Sequence, residues 1–137
     1  MIKNNFFDML ARLRNASLKN HNFVVTTYTK LNFSILKTLI NENIISNFSV
    51  ICLNNKKYLK INLKYSGFWL KTAIIIKIKA CSKSHKPEFL SLNTIKTILR
   101  LKSLKGKLLI VSTVSGIMNI ENAFKLNLGG KLLCIFN

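Results

Sequence analysis

Between Lys57 and Tyr65 the chain alternates without a break: Leu59, Ile61, Leu63 and Tyr65 stand at every second position, with Lys60, Asn62 and Lys64 between them. A side-chain period of two fits a strand that buries one face and leaves the other to solvent. Ile45 to Leu53 precedes it as a second strand, and Asn54-Asn55 reads as the hairpin turn that joins them. The pair therefore presents one buried face and one basic face.

Around this hairpin the periodicity switches repeatedly. Asn5 to Lys19 places Phe6, Leu10 and Leu13 on one helical stripe and Asp8, Arg12, Asn15 and Lys19 on the opposite one. Poor in acid and bearing arginine, this helix also fits a mitochondrial presequence, and the pattern alone leaves both readings open. Phe23 to Tyr28 reads as a strand. Thr29 then caps a helix carrying Leu31, Ile35, Leu36, Leu39 and Ile40, which should end near Asn43. Ser66-Gly67 is the best internal break, so a domain boundary is expected there, with residues 1–66 and 67–137 as the two domains.

The second half is expected to contain an alternating strand from Leu70 to Lys79, a polar loop from Ser82 to Pro87 and a short strand from Phe89 to Leu92. A helix from Thr94 to Lys102 should turn Ile95, Ile98 and Leu99 inward. Lys107 to Ser112 reads as a strand, and Asn119 as the cap of a short helix through Leu126. Gly129 is expected in the left-handed position after that helix, before a last strand from Lys131 to Phe136. Helices and strands mixed in this way, without internal repeats, make the fold class α+β: two small domains.

Charge narrows the ligand. Lys plus Arg number 22 against 4 Asp plus Glu, a formal charge of +18 on 137 residues. Such a chain repels itself unless counter-charge is supplied, and nucleic-acid phosphate supplies it densely. Anionic lipid is the competing polyanion, but a surface-lying helix needs its basic residues gathered on one face, and here the lysines are spread along the whole chain. With 49 % hydrophobic residues the chain can build a core. No apolar run approaches the roughly 20 residues of a membrane span, and charges at Asp8, Arg12 and Arg14 interrupt the N-terminal apolar stretch that a secretory signal would need. Cys52, Cys81 and Cys134 are odd in number and widely spaced, which suits reduced thiols, buried as small hydrophobes, in a reducing compartment.

Catalysis finds little support. Asp8, Glu42, Glu88 and Glu121 fall on four different elements, so no carboxylate pair converges for acid–base or metal chemistry. His21 and His85 lie in polar loops, where solvated or phosphate-facing roles suit them. Cys81 and His85 have metal-like spacing but lack a second ligand pair. The five glycines are scattered, without a phosphate-cradling motif. The expectation is a binder, with no catalytic residues, no metal and no cofactor.

The most informative stretch is Ser112-Thr113-Val114-Ser115-Gly116-Ile117-Met118-Asn119, followed by Leu128-Gly129-Gly130-Lys131 and an apolar end. Small hydroxyls beside a glycine let a backbone press against a ligand while offering donors and acceptors. As bare geometry, Ser112 to Gly116 is a turn between a strand and a helix, a reading compatible with RNA contact. Together with Asp8-Met9-Leu10-Ala11-Arg12-Leu13-Arg14-Asn15 and Thr29-Lys30-Leu31, these motifs, in order along nearly the whole chain, resemble the universal small-subunit ribosomal protein eight family.

That resemblance implies an N-terminal domain of two helices on a three-stranded sheet and a C-terminal domain of mostly β structure with short helices. It also favours a folded first helix over a presequence. It further implies a structural binder of the central domain of small-subunit ribosomal RNA, acting in assembly, with neighbouring ribosomal proteins as further partners. Carried over by position, Ser112, Thr113, Ser115 and Gly116 match the family's RNA-contact loop, and Arg12, Arg14, Asn15 and Lys30 match contact positions of the N-terminal half. Short hydroxyls and backbone amides suit RNA, whose helices are read through shape, 2′-hydroxyls and bulged bases.

The chain departs from the family pattern at Val114, where a third hydroxyl is usual, and at Lys131, where an acid is usual. It departs again near Leu92, where an aromatic for base stacking is usual, and at Pro87-Glu88, where a proline-glycine pair is usual. With the lysine-, isoleucine- and asparagine-rich composition, this divergence points to an organelle-encoded protein of an organellar ribosome, mitochondrial first, with a plastid ribosome or the bacterial cytoplasm as the alternative. A free-standing basic RNA-binding or membrane-surface protein with the same fold is the alternative.

Overall fold

The computed structural model describes residues 2–66, 72–73, 78–80, 89–101 and 107–136. The chain divides into two compact units, Met1–Ile76 and Lys77–Asn137.

The first unit opens with helix α1 (Ile2–Leu18), strand β1 (Phe23–Thr27) and helix α2 (Lys30–Asn41), followed by β2 (Ile45–Leu53) and β3 (Lys56–Leu63). Its three strands form an antiparallel sheet in the order β1-β3-β2. The alternation that marks β3 holds: Leu59, Ile61 and Leu63 are buried, while Lys60 and Asn62 face out and are half-buried. Against the inner face lie Phe6, Met9, Leu10 and Leu13 of α1 and Ile35, Leu36 and Leu39 of α2. Tyr65 leaves this strand. It opens β4 (Tyr65–Ser66), which pairs with β5 (Thr72–Ala73), and its hydroxyl donates to the carbonyls of Ala16 and His21.

Asparagine shapes the turns. Asn54 and Asn55 both take positive φ, 51° and 63°, in the two-residue β2–β3 loop, as the twist of a tight hairpin requires. Thr29 caps α2, accepting from the Asn32 N–H at 3.0 Å. At the far end Asn43 takes φ 59°, and Ile44 N–H reaches Leu39 O while Asn43 N–H reaches Ile40 O. The same paired closure ends α1 at Asn20. Each is the left-handed cap usually given to glycine.

The second unit comprises β6 (Ile78–Ala80), β7 (Phe89–Leu90), α3 (Leu92–Arg100), β8 (Leu108–Thr113), β9 (Gly116–Asn119), α4 (Ile120–Lys125) and β10 (Gly130–Phe136). The sheet runs β6-β10-β8-β9, with β7 also pairing β10. Leu109 and Val111 of β8, Leu132 of β10, Ile95 of α3 and Ile120 and Ala123 of α4 form its core. A register shift between Leu132 and Cys134 lets β10 bury both and Leu133 as well. The architecture is α+β, with two helices and a three-stranded sheet in the first unit and mostly β structure with short helices in the second.

Four expectations need correction. Cys52 is not buried but exposed on β2, whereas Cys134 is buried on β10. Leu99 is not turned inward but is 39 % exposed, because Ile95 and Ile98 already fill the apolar stripe of α3. The left-handed position after α4 belongs to Asn127, at φ 56°, and not to Gly129. Ser112 to Gly116 does not lead from a strand to a helix. It joins β8 to β9, a strand that the sequence reading lacks, and only then does Asn119 cap α4. Of the expected strand from Leu70 to Lys79, Thr72–Ala73 pairs with β4 and Ile78–Ala80 with β10. The rest of it lies outside the described residues, as do Gly67, the Ser82–Pro87 loop with His85, and Cys81, Glu88 and Lys102.

Candidate nucleic-acid interface

The β8–β9 hairpin is closed by Thr113 opposite Gly116, leaving Val114 and Ser115 as its two-residue tip. Thr113 Oγ1 donates to Gly116 O at 2.8 Å and accepts from Ser115 N–H at 3.2 Å. Its hydroxyl is thus committed to the turn, and one lone pair remains for a ligand. Ser115 is exposed, and its hydroxyl has no partner among the described residues. Gly116 adopts φ +119°, a conformation that L side chains rarely take, and a Cβ there would meet nothing within 4 Å. The glycine serves conformation and leaves open space above the backbone.

Gly129 and Gly130 support the hairpin from below. A Cβ on Gly130 would lie 2.5 Å from Ser112 O and 3.0 Å from the Thr113 methyl, and one on Gly129 would lie 2.8 Å from Leu90 O. Both are therefore packing glycines: they let β10 nest between β7 and the end of β8. Ser112, half-buried, pairs with Ile117 on one side and Lys131 on the other. Lys131 in turn faces Phe89 across β10–β7. Phe89 is 71 % exposed, beside the Gly129 backbone. Its place on a short strand was readable from the sequence, but its exposure next to the hairpin depends on the β7–β10 pairing. The departures fall as follows: Val114 is 93 % exposed at the tip, Lys131 sits beside Ser112, and Leu92 opens α3, half-buried.

In the first unit, Arg12 is held by its own domain. Its Nε donates to Asp8 Oδ2 at 2.9 Å and its Nη1 to the carbonyl of Val25 at 3.1 Å, tying α1 to β1. Arg14, Asn15 and Lys30 are exposed, with no side-chain partner among the described residues. Successive helical residues advance about 100°, so Arg14 points about 200° round the helix from Arg12, while Asn15 lies one turn along from it. The structure does not gather Arg12 and Arg14 into one patch. Lys30 begins α2.

The four hydroxyl-and-glycine positions do come together, on one hairpin. Among known proteins, the sequence model of the family described as Ribosomal protein S8 matches residues 4–136. This chain belongs to the ribosomal protein S8 family. Among its relatives, the small ribosomal subunit protein uS8 of Dictyoglomus thermophilum is 34 % identical over 128 residues, covering 93 % of this chain and 92 % of the relative. The small ribosomal subunit protein uS8c of Phaeodactylum tricornutum is 35 % identical over 134 residues, 98 % of each chain. The uS8 protein of Wolinella succinogenes is 31 % identical over the same length. The match runs through both units, so the hairpin and the α1 positions sit within the shared sequence.

Proposed function

We propose that this chain is a structural constituent of the small ribosomal subunit that binds the central domain of small-subunit ribosomal RNA and supports subunit assembly and translation. The observation that carries this reading is the β8–β9 hairpin, an exposed serine beside an open glycine backbone, in a chain of net charge +18 that belongs to a ribosomal family. In this reading Ser112, Thr113, Ser115 and Gly116 approach sugar and base edges, with Phe89 as a neighbouring π-face. Arg12, Arg14, Asn15 and Lys30 meet phosphate and sugar of flanking RNA. The C-terminal part, 67–137, carries the specific contact, and residues 1–66 carry the flanking one, with neighbouring ribosomal proteins as further partners. The role is that of a binder and not an enzyme.

The ribosome it serves is, in this reading, organellar. Lysine-, isoleucine- and asparagine-rich composition supports that placement; relatives of the plastid type uS8c support the plastid alternative, and bacterial uS8 relatives support a bacterial one. Sedimentation of a lysate from the purified organelle at moderate salt tests the assignment. The chain should travel with the small subunit, whereas recovery in the light fractions alone would mark it as a free-standing basic RNA-binding protein.

A further inference from the structure

We infer that the outer face of the β1-β3-β2 sheet is a second RNA surface, a stacking platform for unpaired nucleotides anchored on Phe23. It goes beyond the hairpin reading and shares with it only the premise that the ligand is RNA. The helices take up the inner face, and the strand register fixes what stands on the other. Phe23, Asn62 and Asn47 form one row across the three strands, and Thr27, Tyr58 and Ile51 another. Phe23 is 49 % exposed, with Lys60 Nζ 4.6 Å from its ring centroid. A cation poised over an aromatic ring at the sheet edge places a phosphate partner next to a π-face.

Phe23 also borders a shallow, open surface concavity lined by Asn20, His21 and Asn22. Asn62 donates to Asn47 on the same row, giving the face amide groups of the kind that pair with base edges. Tyr58 stands four residues along β3 from Asn62, roughly 13 Å at the rise of a strand, so Phe23 and Tyr58 are two aromatic stations spanned by a short single strand. No carboxylate occupies these rows. The acids described in the first unit, Asp8 and Glu42, lie on α1 and at the end of α2. A polyanion with exposed rings matches this surface better than an apolar protein face, which Lys60, Asn47 and Asn62 would interrupt.

The test uses the full chain and fluorescence anisotropy with a single-stranded uridine decamer, alongside a cognate small-subunit RNA fragment. Phe23→Leu keeps apolar bulk and removes the π-face, so decamer binding should weaken about tenfold, while Phe23→Tyr should bind like the parent. Lys60→Gln should lower the magnitude of the log–log salt slope by about 0.7, the share of one single-strand phosphate. Thermal melts of each variant separate loss of fold from loss of contact. The inference is overturned if the parent ignores the decamer while binding the cognate fragment, if Phe23→Leu and the parent bind the decamer equally, or if the face is protected only by added ribosomal proteins. Failure on the cognate fragment with the decamer response intact would instead count against the hairpin reading.

Discussion

Thr113 Oγ1 donates to the carbonyl of Gly116 at 2.8 Å across the tip of the β8–β9 hairpin. The bond separates two hydroxyls that look equivalent in sequence: Thr113 gives its proton to the loop and keeps one lone pair for a ligand, whereas the whole hydroxyl of Ser115 is available. Thr113→Val should therefore lower stability by about 1 kcal/mol, the net worth of one hydrogen bond, with RNA affinity falling as the loop loosens. Ser115→Ala should leave the melting temperature unchanged. Paired denaturant titrations of the two variants check this, and equal stability losses would contradict it.

Gly116 and Gly130 should fail for different reasons. Gly116→Ala meets no neighbour, so its cost is backbone strain at φ +119°, about 1–3 kcal/mol. Gly130→Ala drives a methyl against the Ser112 carbonyl, 2.5 Å away, and overpacking of backbone costs about 1–3 kcal/mol while shifting the hairpin itself. Amide chemical shifts across residues 112–116 distinguish them: Gly130→Ala should move Ser112 and Thr113, whereas Gly116→Ala should perturb mainly the turn.

These distinctions also show what the sequence could and could not reveal. Strict alternation in β3 and the Thr29 cap are local signals, and each appears where the residues alone place it. The hairpin at Asn54-Asn55 was legible for the same reason, since asparagine tolerates positive φ. Strand β9 was not legible: only four residues long, it follows a Val-Ser turn without the usual asparagine-glycine signal and exists through pairing with β8. Gly129 misled because glycine is the common left-handed cap, while this chain uses Asn127 there and spends Gly129 on close packing. Positions 12, 14, 15 and 30 could be picked out by resemblance, but that Arg12 is tied to Asp8 and Val25 depends on how α1 docks on β1.

Tyr65 links the end of the first sheet to the cap of α1, donating to Ala16 O and His21 O. Burial pushes its phenol above the ordinary 10.0. A raised folded value means the neutral form is favoured in the fold, so its contribution is fully present below about pH 10 and is lost as pH rises through the folded value. Tyr65→Phe should cost about 1 kcal/mol at pH 7. Chemical denaturation from pH 7 to 11 should show the gap between parent and variant closing at the alkaline end, and a gap that widened there would contradict this account.

A net charge of +18 on 137 residues should make the isolated chain sensitive to screening. Between about 20 and 200 mM NaCl the Debye length falls from over 20 Å to under 10 Å, which relieves self-repulsion. The melting temperature should rise over that range. An unchanged value would mean that self-repulsion is not a significant term in its stability.

The most direct measurement is one titration set: the parent, Ser115→Ala, and a Lys56→Gln, Lys57→Gln double variant, each against the cognate central-domain RNA fragment and an unrelated RNA duplex at fixed salt. Ser115→Ala should weaken cognate binding by about fivefold, the equivalent of about 1 kcal/mol, and leave the unrelated duplex unaffected. The lysine double variant should weaken both alike, because phosphate contacts carry no sequence information. If Ser115→Ala bound the cognate fragment like the parent while the lysine variant lost discrimination between the two RNAs, the specific surface would lie in the first unit and not on the β8–β9 hairpin.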